Sequence, residues 1–290
     1  MRHDSCYALY QLSNQTGNIM DAAEARYLKG DREPAVSSVL ISSSKYLNNP
    51  LFRDVYAQMG LKRDGHDLPA AYLIPELNDA FNELTDFGRV FERLAEEKAR
   101  LPEFAAFIEA GFISTLTAES LAHHAPGTLG AQVREFIVRT GFDVDFMFKG
   151  QPANDFIYLN KREVQGHDIA HMVTGLDPSP VGEIALAACN MVSNSAYFTP
   201  EFSIERNKHA AFITSTSLMR AALHYPRTLP AFLEGIAIGQ RMGAKLKRPL
   251  VMVKWEDYFD LPIHEVRETL GITDAPPDGH WEWTYEATTG

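Results

Sequence analysis

Along most of the chain, apolar side chains recur at intervals of three and four, the repeat that gathers them on one side of an α-helix. Leu77, Phe81, Leu84, Val90, Phe91 and Leu94 form the first such pattern, which runs into the charged stretch Glu96-Glu97-Lys98-Ala99-Arg100. Pro102 opens the next helix, through Phe104, Phe107 and Ile108 to a stop near Gly111. Proline suits the first helical turn and glycine the residue after the last. A helix from about Gly130 carries Val133, Phe136 and Ile137 and ends near Gly141. A longer one is expected from about Asn154 to Thr174, with Phe156, Ile157, Leu159, Val164 and His171 inside it. Gly175, Pro178 and Pro180 interrupt the pattern, and another helix begins near Gly182-Glu183. Three more are expected at about 206–224, 229–246 and 262–270. Leu250-Val251-Met252-Val253 reads either as a short strand or as the start of a helix. Strand alternation is scarce, so the expected fold class is all-α: a mostly helical single domain.

No internal repeat or low-complexity tract divides the chain. Residues 1–34 read as an N-terminal extension, 35–272 as the helical domain and 273–290 as a C-terminal tail. The tail follows the breaker Pro276-Pro277-Asp278-Gly279, and its Trp281, Trp283 and Tyr285 leave it either loose or docked by its aromatics. With 45% hydrophobic and 22% charged residues over 290 positions, the composition is that of an ordinary globular protein and argues against disorder as the main state. The net charge of −11 argues against a nucleic-acid partner, which would call for a basic surface. Two cysteines, Cys6 and Cys189, cannot build a disulfide framework, so a reducing compartment is the simpler expectation. The opening Met1-Arg2-His3-Asp4-Ser5-Cys6 lacks the apolar core of a secretory signal. No run approaches the roughly 18 apolar residues of a membrane-spanning helix. The expected location is cytoplasmic, at most peripheral on the inner membrane.

The segment His167-Asp168-Ile169-Ala170-His171 carries the chemistry. On a helix, His167 and His171 stand one turn apart on one face, and Asp168 borders it. Eleven residues beyond His171, after the Gly/Pro break, stands Glu183, which a returning helix would bring back to the imidazoles. Two histidines with one or two carboxylates suit zinc or another divalent transition ion. The spacing is that of the metalloprotease HExxH, but aspartate is one methylene shorter than glutamate and reaches a bound water differently. A hydrolase reading therefore weakens, and a direct ligand role for Asp168 gains. The competing reading is a helix that buries two histidines, hydrogen-bonded to Asp168 and Glu183, with no metal.

His167-Asp168-x-x-His171-x11-Glu183 resembles the HDxxH-x11-E motif of the Coq4 family of coenzyme Q (ubiquinone) biosynthesis. Supporting segments follow in order: Pro126-Gly127-Thr128-Leu129-Gly130 with Phe136, then Asp155 and Tyr158, Gly182-Glu183-Ile184, Trp255-Glu256, and Val266-Arg267-Glu268-Thr269-Leu270-Gly271-Ile272. The resemblance covers about 35–272. Val164-Gln165 stand where the family usually carries Arg-Glu, with Arg162 nearby, and Ala187 stands where it tends to carry lysine. The resemblance implies helices packed around a lipid pocket and a divalent metal, zinc first and iron, manganese, cobalt or magnesium as alternatives, on His167, Asp168, His171 and Glu183. Asp168 and Glu183 are the expected catalytic carboxylates, with Asp168 alternatively a base or a partner behind the ligands. The implied activity is a metal-dependent oxidative decarboxylation at ring C1 of a polyprenylated aromatic acid, leaving a hydroxyl. The implied partners are that quinone precursor, other quinone-biosynthesis proteins, a membrane surface and a second copy in a homodimer. The alternative is a non-catalytic isoprenoid-binding scaffold for those enzymes.

Other features read more plainly. Gly235, Gly239 and Gly243 recur every four residues, the mark of close helix packing or, alternatively, of a smooth wall for an isoprenoid chain. Arg241, Lys245, Lys247 and Arg248 cluster at a helix C-terminus, where the dipole favours cations; anionic lipid contact is the other reading. His123-His124 read as loop or capping residues, Cys189 as an inert core thiol, and Met219 and Met242 as core filler. The chain has no phosphate-binding glycine loop, no GxSxG nucleophile elbow and no paired-cysteine zinc spacing.

Overall fold

The computed structural model describes residues 44–63, 73–141 and 150–289. Among these residues the regular elements are helical, which bears out the all-α class. They are α1 (Lys45–Asn48), α2 (Pro50–Leu61), α3 (Ile74–Leu84), α4 (Phe87–Arg100), α5 (Pro102–Ala110), α6 (Leu129–Thr140), α7 (Asp155–Thr174), α8 (Pro180–Tyr197), α9 (Pro200–His224), α10 (Leu229–Gly243), α11 (Ile263–Leu270) and α12 (Trp283–Thr289). Short 3-10 turns occupy Leu250–Met252 and Trp255–Tyr258. The apolar run at 250–253 is therefore helical rather than a strand. Cys6 and the expected N-terminal extension lie outside the described residues.

The described residues form two compact units. The smaller holds 44–58 and 73–84. Tyr46, Phe52 and Phe81 cluster there with ring centroids 5.2, 6.1 and 5.4 Å apart, and Phe81 meets the other two rings edge to face. Such aromatic clusters gain from ring quadrupoles as well as from burial. Asn49 ties α2 to α3: its side chain accepts from the Phe52 N–H and donates to Glu83 at 3.0 Å.

The larger unit holds the remaining described residues, including 85–141 and 150–289. It has two apolar clusters. One joins Val90 and Leu94 of α4, Phe104 and Ile108 of α5, Phe156 and Leu159 of α7, and Phe198 and Phe202. The other joins Ile169, Ala170 and Val173 of α7 to Ile184, Ala185 and Cys189 of α8, Phe232 and Met242 of α10, Val266 of α11, and Trp255 and Trp281. Helix α7 thus feeds its first half into one core and its second half into the other, which buries it on most sides.

Cap chemistry moves several helix starts from where apolar spacing puts them. Helix α8 begins at Pro180 rather than Gly182, because the Ser179 hydroxyl accepts from the Gly182 N–H at 3.1 Å. Helix α9 begins at Pro200 rather than near 206, capped by Thr199. Both have proline in the first turn, where its missing N–H costs nothing. The pattern from Leu77 to Leu94 divides into α3 and α4, with the Asp86 side chain accepting from Arg89 N–H at 3.1 Å to cap the second. Glu97, within the charged stretch, is fully buried; it receives Arg100 and the Thr199 N–H and hydroxyl.

The glycine stripe of α10 is a packing surface. A Cβ at Gly239 would lie 2.0 Å from the Ala185 carbonyl oxygen, and one at Gly243 would lie 2.3 Å from that of Cys189. No isoprenoid chain runs along this face, since α8 occupies it. Cys189 is buried, and burial pushes its thiol up to about 12, as expected of an inert thiol. Met242 is core, whereas Met219 is exposed and fills none. Lys245 pairs with Asp274 at 2.6 Å, and His124 lies in a loop against Asp260 at 2.8 Å. The aromatic tail docks through Trp281, which is 1% exposed, while Trp283 and Tyr285 stay on the surface.

Overpacking a tight core costs about 1–3 kcal/mol. Gly239→Ala is expected to lose at least that much in urea unfolding, because its methyl meets helix backbone. Gly271→Ala, at φ +71° with no atom within 4 Å of the added carbon, pays only backbone strain and should lose less. Equal losses would refute the close α8–α10 contact.

Candidate metal centre

Helix α7 carries His167 and His171, and the segment Gly175–Ser179 reverses the chain into α8, which carries Glu183 in its first turn. The reversal has three supports. Gly175 takes the left-handed conformation at φ +74°, and its N–H closes α7 on the His171 carbonyl at 2.9 Å. The Asp177 carboxylate accepts from the Ser179 N–H at 3.0 Å. Gly182 lets the turn fold onto the start of α8, since a Cβ there would stand 1.7 Å from the Asp177 carbonyl oxygen. Glycine directly before Glu183 is thus a steric requirement of the hairpin.

The hairpin brings three donor atoms together. His167 Nε2 and His171 Nε2 are 3.1 Å apart, and the two oxygens of Glu183 lie 3.2 Å from one imidazole each. A tetrahedral ion with bonds of about 2.0–2.1 Å would hold its ligands roughly 3.3 Å apart, so the spacing fits. His171 is buried, at 3% exposure, and its Nδ1 donates to the Leu176 carbonyl. That bond puts the proton on Nδ1 and turns the Nε2 lone pair towards Glu183 and His167, the second interaction that commonly fixes a metal-bound histidine. His167 and Glu183 are 41% and 43% exposed, which leaves the cluster open on one side. Asp168 does not join these three atoms. It lines a cavity of about 630 Å³ on the neighbouring side, together with His171, Gln132, Phe136, Met172 and Arg267.

Charge follows the geometry. Burial pushes the His167 imidazolium down, but the hydrogen bond and charge of Glu183, with Asp168 and Glu163 behind, outweigh it and hold its pKa at about 9. Burial pushes Glu183 up, and the bonds and charges of both histidines overturn that and hold its carboxyl far below the usual range. Asp168 is raised, first by burial and then by Glu183, against the lowering pull of His167 and His171. Without metal, His167 thus carries its charge beside the ionised Glu183 at neutral pH.

Residues that spacing alone did not single out hold α7 in place. Arg162 makes a paired contact with Glu256 at 3.1 and 3.2 Å and lies over the Phe112 ring. Lys161, also buried, donates to the Gly150 carbonyl at 2.9 Å. Arg267 Nε donates to the Val173 carbonyl at 2.6 Å, satisfying the α7 C-terminus. Gly166 admits the indole of Trp255, whose Nε1 would stand 2.6 Å from a Cβ there. Gly130 likewise admits the His124 ring, while the Leu129 and Gly130 N–H groups donate to Leu261 and Phe259 carbonyls. The segments Trp255-Glu256 and Val266–Ile272 thus bracket the histidine helix, and Pro126–Gly130 is tied to the 259–261 segment that follows Trp255-Glu256.

Similarity to known proteins agrees with this architecture. The profile of the family described as "Coenzyme Q (ubiquinone) biosynthesis protein Coq4" matches residues 112–276, more than half of the chain. The "Ubiquinone biosynthesis protein COQ4 homolog, mitochondrial" of Drosophila melanogaster is 28% identical over 264 residues, covering 88% of this chain and 84% of the relative. The "Ubiquinone biosynthesis protein COQ4, mitochondrial" of Uncinocarpus reesii is 28% identical over 167 residues, covering 57% and 54%. A crystal structure of a putative ubiquinone biosynthesis protein from Nostoc punctiforme superposes with a TM-score of 0.56 at 24% identity, over 76% of this chain and 96% of that one, which supports the fold. With the fold, the hairpin and the profile match in agreement, the chain belongs to the Coq4 family of coenzyme Q biosynthesis proteins.

Proposed function

We propose that this protein is a metal-dependent enzyme of coenzyme Q biosynthesis that removes the C1 carboxylate of a polyprenylated aromatic acid and leaves a hydroxyl. The observation that carries this reading is the convergence of His167, His171 and Glu183 at ligand spacing beside a cavity that Asp168 enters. The nitrogen-rich donor set suits zinc or another transition ion better than magnesium. When bound there, such an ion supplies a Lewis acid for a carboxylate or phenolate oxygen. The net change, ArCOOH + H2O → ArOH + CO2 + 2H⁺ + 2e⁻, is a two-electron oxidation whose electrons pass to an external oxidant such as dioxygen.

The chain's own residues bind and orient. Arg139 and His264 line the cavity with Arg267 and draw in an anionic head group. Phe136, Met172 and Ile263 give the ring an apolar wall. Asp168, pushed up by burial and lining the cavity, takes a proton from the ring hydroxyl in this reading and holds it while the carboxylate leaves. A polyprenyl tail keeps such a substrate in a bilayer, so the protein works at a membrane surface beside other enzymes of the pathway, as a homodimer. No helix among the described residues is long and apolar enough to cross a membrane.

Elemental analysis of untagged protein should find about one divalent transition ion per chain, absent from His171→Ala. Asp168→Asn should keep the ion and lose about 10²–10⁴-fold in turnover of a prenylated hydroxybenzoate. Unchanged metal and activity in His171→Ala would remove the ligand assignment; metal without turnover in the wild type would move the function to a lipid-binding scaffold.

The metal-free protein should show a defined pH dependence. His167 titrates at about 9 in the fold against 6.5 ordinarily, so its charge stabilises fully below pH 6.5 and that contribution is lost as pH rises through 9. Thermal melts of metal-free wild type should decline across this window, and those of His167→Ala should not. Two identical profiles would argue against the charged His167–Glu183 pair.

A further inference from the structure

The match to the family ends at Pro276, yet the chain that follows lies against the site. Ala275 and Pro276 flank Gly175: its missing Cβ would stand 3.3 Å from the Ala275 Cβ and 3.4 Å from the Pro276 carbonyl oxygen. Pro277 to His280 then turn through Gly279 at φ +71°, which puts Asp278 and Gly279 on the cavity wall with Asp168, His171 and Asp177. The Trp281 N–H donates to Asp177 at 3.1 Å, the carboxylate that also holds Ser179. The Trp281 indole enters the core and its Nε1 donates to Glu234 of α10 at 3.2 Å, with His280 at 3.4 Å from the same carboxylate. The Tyr285 hydroxyl donates to the Pro178 carbonyl. Burial raises the Tyr285 phenol, with the charges of Glu183, Asp177 and Glu282 adding to it. The contacts to Gly175, Asp177 and Pro178 fall on the reversal whose Leu176 carbonyl orients His171, and those to Glu234 anchor the segment on α10.

We propose that the segment after Pro277 is a built part of this protein's metal and substrate site: Trp281 and Tyr285 are positioning residues that pin the α7–α8 turn in the register that aims His171 Nε2, while Asp278 and Gly279 complete the cavity wall. The proposal rests on the metal reading above. Its physical basis is that a short turn with one carbonyl bonded to an imidazole aims the ligand only as well as the turn itself is held.

The test measures cobalt(II) affinity of the metal-free full chain by competition with a chelating dye, together with the visible absorption of the bound ion and the melting temperature. Trp281→Ala should weaken cobalt binding about 10–100-fold and change the visible bands, the range for losing support behind a ligand. Trp281→Phe, which keeps most of the packing, should recover most of the affinity. Tyr285→Phe removes one hydroxyl from the surface and decides the question even if Trp281→Ala fails to fold; it should weaken binding several-fold with unchanged circular dichroism. Variants that melt earlier but bind cobalt with wild-type affinity and spectrum would overturn the proposal and leave the tail a structural appendage. A wild type that binds no cobalt would overturn the metal reading and this proposal together.

Discussion

The hydrogen bond from His171 Nδ1 to the Leu176 carbonyl is the contact on which the site depends. It decides which imidazole nitrogen keeps its lone pair, and it exists only because the chain reverses directly after α7. The reversal in turn needs a left-handed residue at Gly175, a missing side chain at Gly182 and a carboxylate at Asp177 that bonds two backbone N–H groups. Glu183 reaches the imidazoles as a consequence of that turn.

The helix that carries both histidines must also resist sliding and rotation if they are to stay opposite Glu183. Helix α7 meets this by lying in two cores and by satisfying its buried charges within reach of its own axis. Arg162 and Lys161 would be costly in an apolar interior without Glu256 and the Gly150 carbonyl. Arg267 closes the far end. On the other side, the glycines of α10 bring its backbone against α8, so that the helix bearing Glu183 is fixed by backbone contact. The site has rigid walls on several sides and an open one where His167 and Glu183 meet solvent.

The electrostatics of the cluster follow from two imidazoles and a carboxylate held at close range. A proton on His167 and the depressed Glu183 carboxyl are the metal-free answer to the same geometry: three donor atoms at close range need positive charge between them. Asp168, outside that trio and raised by burial, has the opposite character and faces the cavity. One helix turn thus presents an imidazole and a carboxylate to two adjoining spaces.

The all-α class, most helices and the pairing of His167, His171 and Glu183 were legible in the sequence, because helical spacing, Pro/Gly punctuation and an HDxxH segment before a break are local signals. The spacing of Asp168 could not separate ligand from neighbour, since a residue bordering a helix face can turn to either side; only the packed hairpin put it on the cavity. The glycine stripe offered two readings, and the Ala185 and Cys189 carbonyls chose close packing. Helix starts at Pro180 and Pro200 were missed where apolar spacing outweighed the Ser-Pro and Thr-Pro caps that mark them. The brackets on α7 from Glu256 and Arg267, and the one on the reversal from Trp281, join residues 94 to 104 positions apart. Local sequence determined the elements and the donor types, and tertiary structure decided which donors meet, because those long-range partners appear only when the cores close.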